Sequence, residues 1–238
     1  MKSYQFVEDY ITYTDHNFIN MHRPGTHVHW RVRKQPVYRL LDNKQWLDNF
    51  FTNGELALSC LSKFRNYPDE IRGDKEEGDA MIWFENENGD TSAFKYESGL
   101  NSYVLCTTLE LSDKVIKDFN AVGAIKIHNP TYFAAEIMQA IVGCQQGIEG
   151  QCIYDDSRVY RGYSDKMKEI LSSDNYLSHP LLRNELMNAA CERELFLKLK
   201  KYESQNEYRM FWIVDQPVDS NLFIKCPEAI RFCERIDF

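Results

Sequence analysis

Short runs of β-branched and aromatic residues dominate both ends of the chain and predict strands. The Asn88-Gly89 dipeptide separates two such runs and predicts a hairpin, because Asn and Gly adopt the positive φ angles of a tight turn. Pro36 separates the first two runs, since it cannot donate to a central ladder. The predicted strands cover residues 28–32, 37–41, 56–58, 80–84, 92–96, 103–107, 124–127, 152–154, 208–214 and 222–225.

Helical periodicity occurs in stretches that lie between these strands. Asp42 is a predicted N-cap and Gly54 a predicted left-handed stop, so a short helix is expected between them. Residues 164–199 predict a helical segment in two amphipathic pieces, broken around His179-Pro180.

A third predicted helix begins at Pro130, which suits the first helical position. Phe133, Ile137 and Ile141 follow at i, i+4 and i+8, so they share one face of this helix. We expect that face to pack on the sheet and to bury all three side chains.

Strands at both ends with helices between them favour an α+β fold with a mixed, largely antiparallel sheet, packed helices and a central helical segment. No glycine-rich phosphate loop follows a predicted strand, which argues against Rossmann and P-loop folds. We expect residues 37–238 to form a single α+β domain with the helical segment at 164–199, and residues 1–36 to form an N-terminal extension packed on its core.

Composition narrows the classes of function. Apolar residues make up 43% of the chain and charged residues 27%, which are globular values and exclude general disorder. The net charge of -8 argues against non-specific binding to duplex DNA, because phosphate contacts need a basic surface. No apolar run approaches the roughly 20 residues needed to cross a bilayer, so we expect no membrane partner and a cytoplasmic location. The seven scattered cysteines predict neither a disulfide framework nor a metal site.

The first candidate site is the polar loop at residues 64–78, because long loops inside compact domains often carry function. Arg65 and Arg72 are candidate anion-binding residues, and Tyr67 offers a stacking surface. Asp74 and Glu77 are candidate acid or base groups. The alternative is a solvated charged connector. We also expect Arg72, Asp74 and Glu77 to form an internal ion-pair network that fixes the loop against the sheet.

The second candidate site is the start of the strand at 208–214. Glu207 and Arg209 share one face there, because side chains alternate along a strand. An adjacent guanidinium keeps a carboxylate ionised, although a structural Glu-Arg pair is an equally ordinary interpretation. Arg39 and Ser59 close earlier buried strands and are further candidates for lining a cleft.

Several segments occur in an order that is informative when they are taken together. They are VYR at 37–39, GELALS at 54–59, FR at 64–65, RGDKEEG at 72–78, YVLCT at 103–107, IKIHNP at 125–130 with Phe133, and KYESQNEYR at 201–209. This ordered set resembles a large family of bacterial and phage proteins of uncharacterised function. The resemblance covers residues 37–227 and implies no established reaction.

A looser resemblance is to ADP-ribosyltransferase-like folds, in which an Arg, a Ser and a Glu occur in this order on an early, a following and a late strand. Arg39, Ser59 and Glu207 match that order, but no Ser-Thr-Ser or Glu-x-Glu run is present. The resemblance implies NAD as a substrate, with Glu207 near the nicotinamide ribose. Arg39 and Arg65 would then hold the pyrophosphate, and Tyr67 would stack on a ring.

Three hypotheses about function follow. The leading one is an NAD-binding, ADP-ribosyltransferase-like protein that acts as an effector in bacterial or phage conflict. The alternative is a non-catalytic regulatory module that binds a nucleotide or protein ligand. The third is a metal-dependent phosphoesterase with Asp74, Glu77 and Asp79 as ligands, since hard cations prefer carboxylate oxygens.

Overall fold

The computed structural model describes residues 19–22, 35–68, 71, 73–162, 164–190 and 193–238, so the strand predicted at 28–32 lies outside the described residues. The fold is α+β, as predicted. The strands are β1 Ile19–His22, β2 Val37–Leu41, β3 Glu55–Cys60, β4 Asp79–Glu85, β5 Thr91–Glu97, β6 Ser102–Thr108, β7 Gly123–Ile127, β8 Cys144–Gln151, β9 Ile153–Asp155, β10 Val159–Arg161, β11 Leu197–Leu199, β12 Glu207–Val214, β13 Leu222–Lys225 and β14 Cys233–Asp237. The helices are α1 Lys44–Asn53, α2 Leu61–Arg65, α3 Asp113–Asp118, α4 Pro130–Ala140, α5 Asp165–Leu171 and α6 Leu182–Ala190.

The main sheet is antiparallel and has the strand order β1-β8-β12-β6-β2-β7-β14. Strand β3 also pairs with β6, and β13 pairs with β3. Strand β12 lies inside this sheet between β8 and β6. Strand β1 shows that part of the predicted N-terminal extension adds a strand to the sheet.

The sheet forks along one edge of β6. Near its C-terminal end, Thr108 pairs with Tyr38 of β2, whereas Val104 near its N-terminal end pairs with Ser59 of β3. Residues 105–107 lie between these two attachments. Strands β2 and β3 therefore diverge from β6, and the space between them is open to side chains.

Helices α1 and α4 cover one face of the sheet. Phe133, Ile137 and Ile141 are almost completely buried there, which confirms the predicted packing of α4. The indole Nε1 of Trp212 donates to the carbonyl of Ala134 at 3.0 Å, which ties β12 to this helix. Helix α1 is capped by the Asn43 side chain rather than by Asp42.

Gly54 ends α1 in the left-handed region, with φ of 74°, as predicted. A Cβ atom at this position would lie 2.4 Å from the backbone of Cys226 and Pro227. The turn into β3 therefore requires glycine both for its φ angle and for the close approach of the chain before the last strand.

The opposite face of β12 is covered by residues 194–205. The helical segment predicted at 164–199 is shorter than expected, because α6 ends at Ala190 and residues 197–199 form β11, which pairs in parallel with β9. The apolar run at 195–197 is buried on the sheet, but Leu195 ends a 3-10 turn and only Leu197 lies in a strand. A short apolar run does not distinguish strand from helix. Phe196 packs edge-on against Phe211 of β12, with ring centroids 5.5 Å apart.

A smaller sheet has the order β10-β4-β5 and carries its own apolar core with α5 and α6. The predicted hairpin around Gly89 forms its strands β4 and β5. No helix in the described part of the chain is both long and apolar enough to cross a membrane.

Candidate functional site

A pocket of about 330 Å³ lies at the fork of the main sheet, within the size range of small-molecule sites. Strands β2, β3, β6 and β12 all contribute to its wall, together with the polar loop and β11. The predicted site residues that line it are Arg39, Ser59, Tyr67, Glu77, Glu207 and Arg209. Arg65 and Asp74 are not among the lining residues, and Arg72 lies outside the described residues.

Glu207 begins β12 and is 5% exposed, with both carboxylate oxygens engaged by cations. The Nε atom of Arg209 donates to Oε1 at 2.7 Å, and the Nζ atom of Lys198 donates to Oε2 at 2.6 Å. Burial opposes ionisation, but the charges of Arg209 and Lys198 outweigh it and hold the pKa of Glu207 well below its usual range. Glu207 is therefore a fixed negative charge in the pocket wall.

Arg209 is 1% exposed and is held on several sides. Its Nη1 and Nη2 atoms donate to the two carboxylate oxygens of Glu77 at 2.7 and 3.0 Å, and Nη1 also donates to the Leu195 carbonyl at 2.6 Å. Glu77 and Glu207 contribute two negative charges, and Arg209 and Lys198 contribute two positive charges. This buried charged centre is therefore neutral overall, and the attraction between its charges offsets the cost of removing them from water.

Lys198 is a site residue that the sequence analysis did not identify. Besides Glu207, its Nζ atom donates to Oε1 of Gln205 at 2.8 Å and lies 4.8 Å from the ring centroid of Tyr202. Burial disfavours its charge, but Glu207 outweighs this and raises the pKa of Lys198. A lysine inside the apolar Leu-Lys-Leu run of β11 is a signal of a buried partner.

The backbone around Glu207 is held in a defined conformation. Asn206 has a φ of 43°, in the left-handed region that asparagine tolerates better than most residues. The Glu207 amide donates to the hydroxyl oxygen of Tyr154 at 2.7 Å, and the Glu207 carbonyl accepts from the Cys152 amide at 2.8 Å. Burial raises the pKa of Tyr154, so its hydroxyl stays protonated. These contacts fix the point at which the Glu207 side chain leaves the strand.

Cys106 of β6 faces the same pocket, directly opposite Arg209 in the ladder. Burial, followed by the charge of Glu207, raises the pKa of its thiol well above the usual value, so Cys106 is a neutral thiol rather than a nucleophilic thiolate. The Nη1 atom of Arg39 donates to the Cys106 carbonyl at 3.0 Å, which places the guanidinium of β2 at the fork.

The polar loop is fixed against the rest of the fold by ion pairs with residues that lie far away along the chain. Asp74 pairs with Arg158 and Glu77 pairs with Arg209, so the two carboxylates have different partners and neither is an exposed connector. The expected network of Arg72, Asp74 and Glu77 stays a prediction, because Arg72 lies outside the described residues. Further hydrogen bonds hold the loop, from Tyr202 Oη to the Gly73 carbonyl at 3.1 Å and from Gln205 Nε2 to the Ile71 carbonyl at 2.7 Å.

Arg65 was expected in the polar loop, but it is the last residue of α2 and does not line the pocket. Its Nε atom donates to the Glu77 carbonyl at 2.7 Å, and its Nη1 atom forms an ion pair with Glu97. Arg65 thus holds the backbone of Glu77 from outside the pocket.

The carboxylates proposed as metal ligands are separated. Asp74 pairs with Arg158, Glu77 with Arg209, and Asp79 with Lys95 at 3.0 Å. Among the described residues, no group of three or more potential ligand side chains is suitably placed for a metal ion.

Aromatic side chains form the mouth of the pocket. Trp46 of α1 and Phe223 of β13 stack at 5.8 Å with an interplanar angle of 21°, and they are 40% and 63% exposed. Tyr67 of the polar loop also lines the pocket and is 41% exposed. The pocket therefore combines a buried charged end with a partly exposed aromatic end, and its stacked pair was not identified from the sequence.

No protein-family model matches this chain, and no curated protein or solved structure matches it either. The chemistry of the pocket is therefore the only indication of function in the described part of the chain.

Proposed function

We propose that the protein is an NAD-binding, ADP-ribosyltransferase-like protein and that the pocket at the fork of the sheet is its NAD site. The observation that carries this proposal is that Arg39, Ser59 and Glu207, from three different strands, line one pocket. The aromatic mouth supports a ligand with flat rings, because aromatic faces stack on them favourably.

In this proposal Glu207 is the charged group that acts on the sugar. Cleavage of the nicotinamide bond develops positive charge on the ribose, and a preorganised carboxylate stabilises that charge. The depressed pKa of Glu207 supports the role, because the group stays ionised at neutral pH. Arg39 is assigned to the pyrophosphate and Ser59 to a ribose hydroxyl. Arg65 is left out, because its contacts are to Glu77 and Glu97.

Nicotinamide release from NAD tests this assignment. We expect the wild type to release nicotinamide and the Glu207→Gln variant to lose roughly 100-fold or more in turnover, since it keeps the shape of the side chain and removes its charge. Release at equal rates by both folded proteins would remove Glu207 from the chemistry.

Glu149→Gln is the matched control. Glu149 is another buried carboxylate of the same sheet, but it pairs in register with Met210 and accepts a hydrogen bond from Thr131 of α4, on the face opposite the pocket. Its replacement changes a buried carboxyl group away from the pocket, so turnover should stay near the wild-type value. Thermal melts of all three proteins report whether each is folded.

The second candidate is a non-catalytic module that binds a nucleotide or protein ligand. The observation that favours it is that both oxygens of Glu207 already accept from Arg209 and Lys198. Isothermal titration with NAD and with ADP-ribose distinguishes the two proposals. Binding without nicotinamide release supports the module, and release supports the enzyme.

A further inference from the structure

The polar loop reaches the charged centre through Glu77. This side chain is 2% exposed, although the loop that carries it lies outside the sheet. Its two oxygens accept from both terminal nitrogens of Arg209, at 2.7 and 3.0 Å. Such a bidentate contact fixes the plane of a guanidinium as well as its position.

The plane of the Arg209 guanidinium determines where its Nε–H group points. The guanidinium is rigid, so holding its two terminal nitrogens also fixes the direction of Nε. That Nε atom donates to Oε1 of Glu207 at 2.7 Å. The orientation of Glu207 is therefore linked to Glu77, although the two carboxylates come from distant parts of the chain.

We propose that Glu77 is a positioning residue that acts through Arg209 to hold the Glu207 carboxylate in place at the pocket. The effect of Glu77 on turnover rests on the proposed function. The effect of Glu77 on the orientation of the Glu207 carboxylate is independent of it. The loop thereby becomes part of the site, since its residue 77 determines the placement of a charge on β12.

The same loop provides a matched control three residues earlier. Asp74 is also buried and also pairs with an arginine, Arg158, but neither residue lines the pocket. The Asp74→Asn variant therefore weakens the attachment of the loop and leaves the contact between Glu77 and Arg209 in place.

A double-mutant cycle on nicotinamide release tests the positioning role. We expect Glu77→Gln to lower kcat by roughly 10- to 100-fold, as misplacement of a reacting group does, with a much smaller change in KM. Added to Glu207→Gln, it should cause little further loss, because both changes remove one function. Fully multiplicative losses, or an equal loss of kcat in Asp74→Asn, would overturn the proposal.

An NMR titration of the Glu207 carboxyl carbon tests the same role without turnover. Loss of the Glu77 charge alone would lower the pKa of Glu207, because two carboxylates repel each other. Loss of the orientation of Arg209 raises it, and we expect this rise in Glu77→Gln. An unchanged or lower pKa would overturn the proposal.

The two measurements separate this proposal from the proposed function. If the wild type releases no nicotinamide, the proposed enzymatic function is wrong. The titration then tests the positioning role of Glu77 by itself. If Glu77→Gln does not fold, Glu77→Asp replaces it in both measurements. That variant keeps the charge but is one methylene shorter, so it is expected to lose the bidentate contact and give the same losses.

Discussion

The two faces of β12 solve the problem of burial in different ways. On one face Tyr208, Met210 and Trp212 pack against the helical layer, and the partners are apolar side chains that recur at helical spacing. On the other face, Glu207 and Arg209 are as deeply buried, but as charges with hydrogen-bonded partners from the polar loop and from β11. Apolar contacts adapt to a neighbour of roughly the right size, whereas buried charges need particular partners at defined positions.

Among the substitutions in β12 and its partners, removal of Arg209 should lower the unfolding free energy most. Arg209→Met leaves Glu77 and Glu207 in the interior with Lys198 as their remaining cation there, and breaking a buried ion pair in this way costs roughly 3–5 kcal/mol of unfolding free energy. The measurement is denaturant unfolding at neutral pH.

A partner substitution sharpens this test. Adding Glu77→Gln to Arg209→Met removes one unpaired buried charge and should restore part of the unfolding free energy. If Glu77→Gln restores no stability to Arg209→Met, packing and not charge determines the stability of the pocket face.

On the apolar face, Ile137→Ala should lower the unfolding free energy by roughly 2–5 kcal/mol through the cavity that it leaves.

Low pH should reduce the contribution of Glu207 to the unfolding free energy. The folded pKa of Glu207 lies below that of the unfolded chain, so its stabilisation is complete above an unfolded pKa of about 4.3 and is lost as pH falls further. The melting temperature of the wild type should therefore exceed that of Glu207→Gln at pH 7, and the difference should shrink between about pH 5 and pH 3. A difference that stays constant over this range contradicts the assignment.

The smallest expected effect concerns the residue that leads into β12. Asn206 is in the left-handed region, where an alanine costs roughly 1 kcal/mol and a glycine costs less. Asn206→Ala should therefore melt below the wild type, and Asn206→Gly should melt close to it. The reverse order would show that the side chain of Asn206 matters more than its φ angle.

The two faces also differ in how far the sequence predicts them. Helix α4 and the hairpin at Gly89 follow from local signals, namely an N-terminal proline, a helical apolar period and a turn dipeptide. Strand β8 is missing from the predicted strands, because its Gln- and Gly-rich residues lack the apolar pattern of a strand. Its extended conformation is stabilised by pairing with β1 and β12. Tertiary context overrides local preference at such positions.

At the pocket, period two places Glu207 and Arg209 on one face, as the sequence indicates. Their partners Glu77 and Lys198 cannot be assigned from one sequence, because ion pairs between distant segments leave no periodic signal. A charged residue inside an apolar run, as at Lys198, indicates that a partner exists but not which residue it is.

The fork in the sheet makes the cavity a property of the backbone. Its walls stand apart because β2 and β3 pair with different ends of β6. Side chains at the mouth, such as Trp46 and Tyr67, take no part in that pairing. Ligand preference on this scaffold is open to evolution, or to redesign, by substitution at the rim, with no change in the hydrogen-bonded ladder underneath.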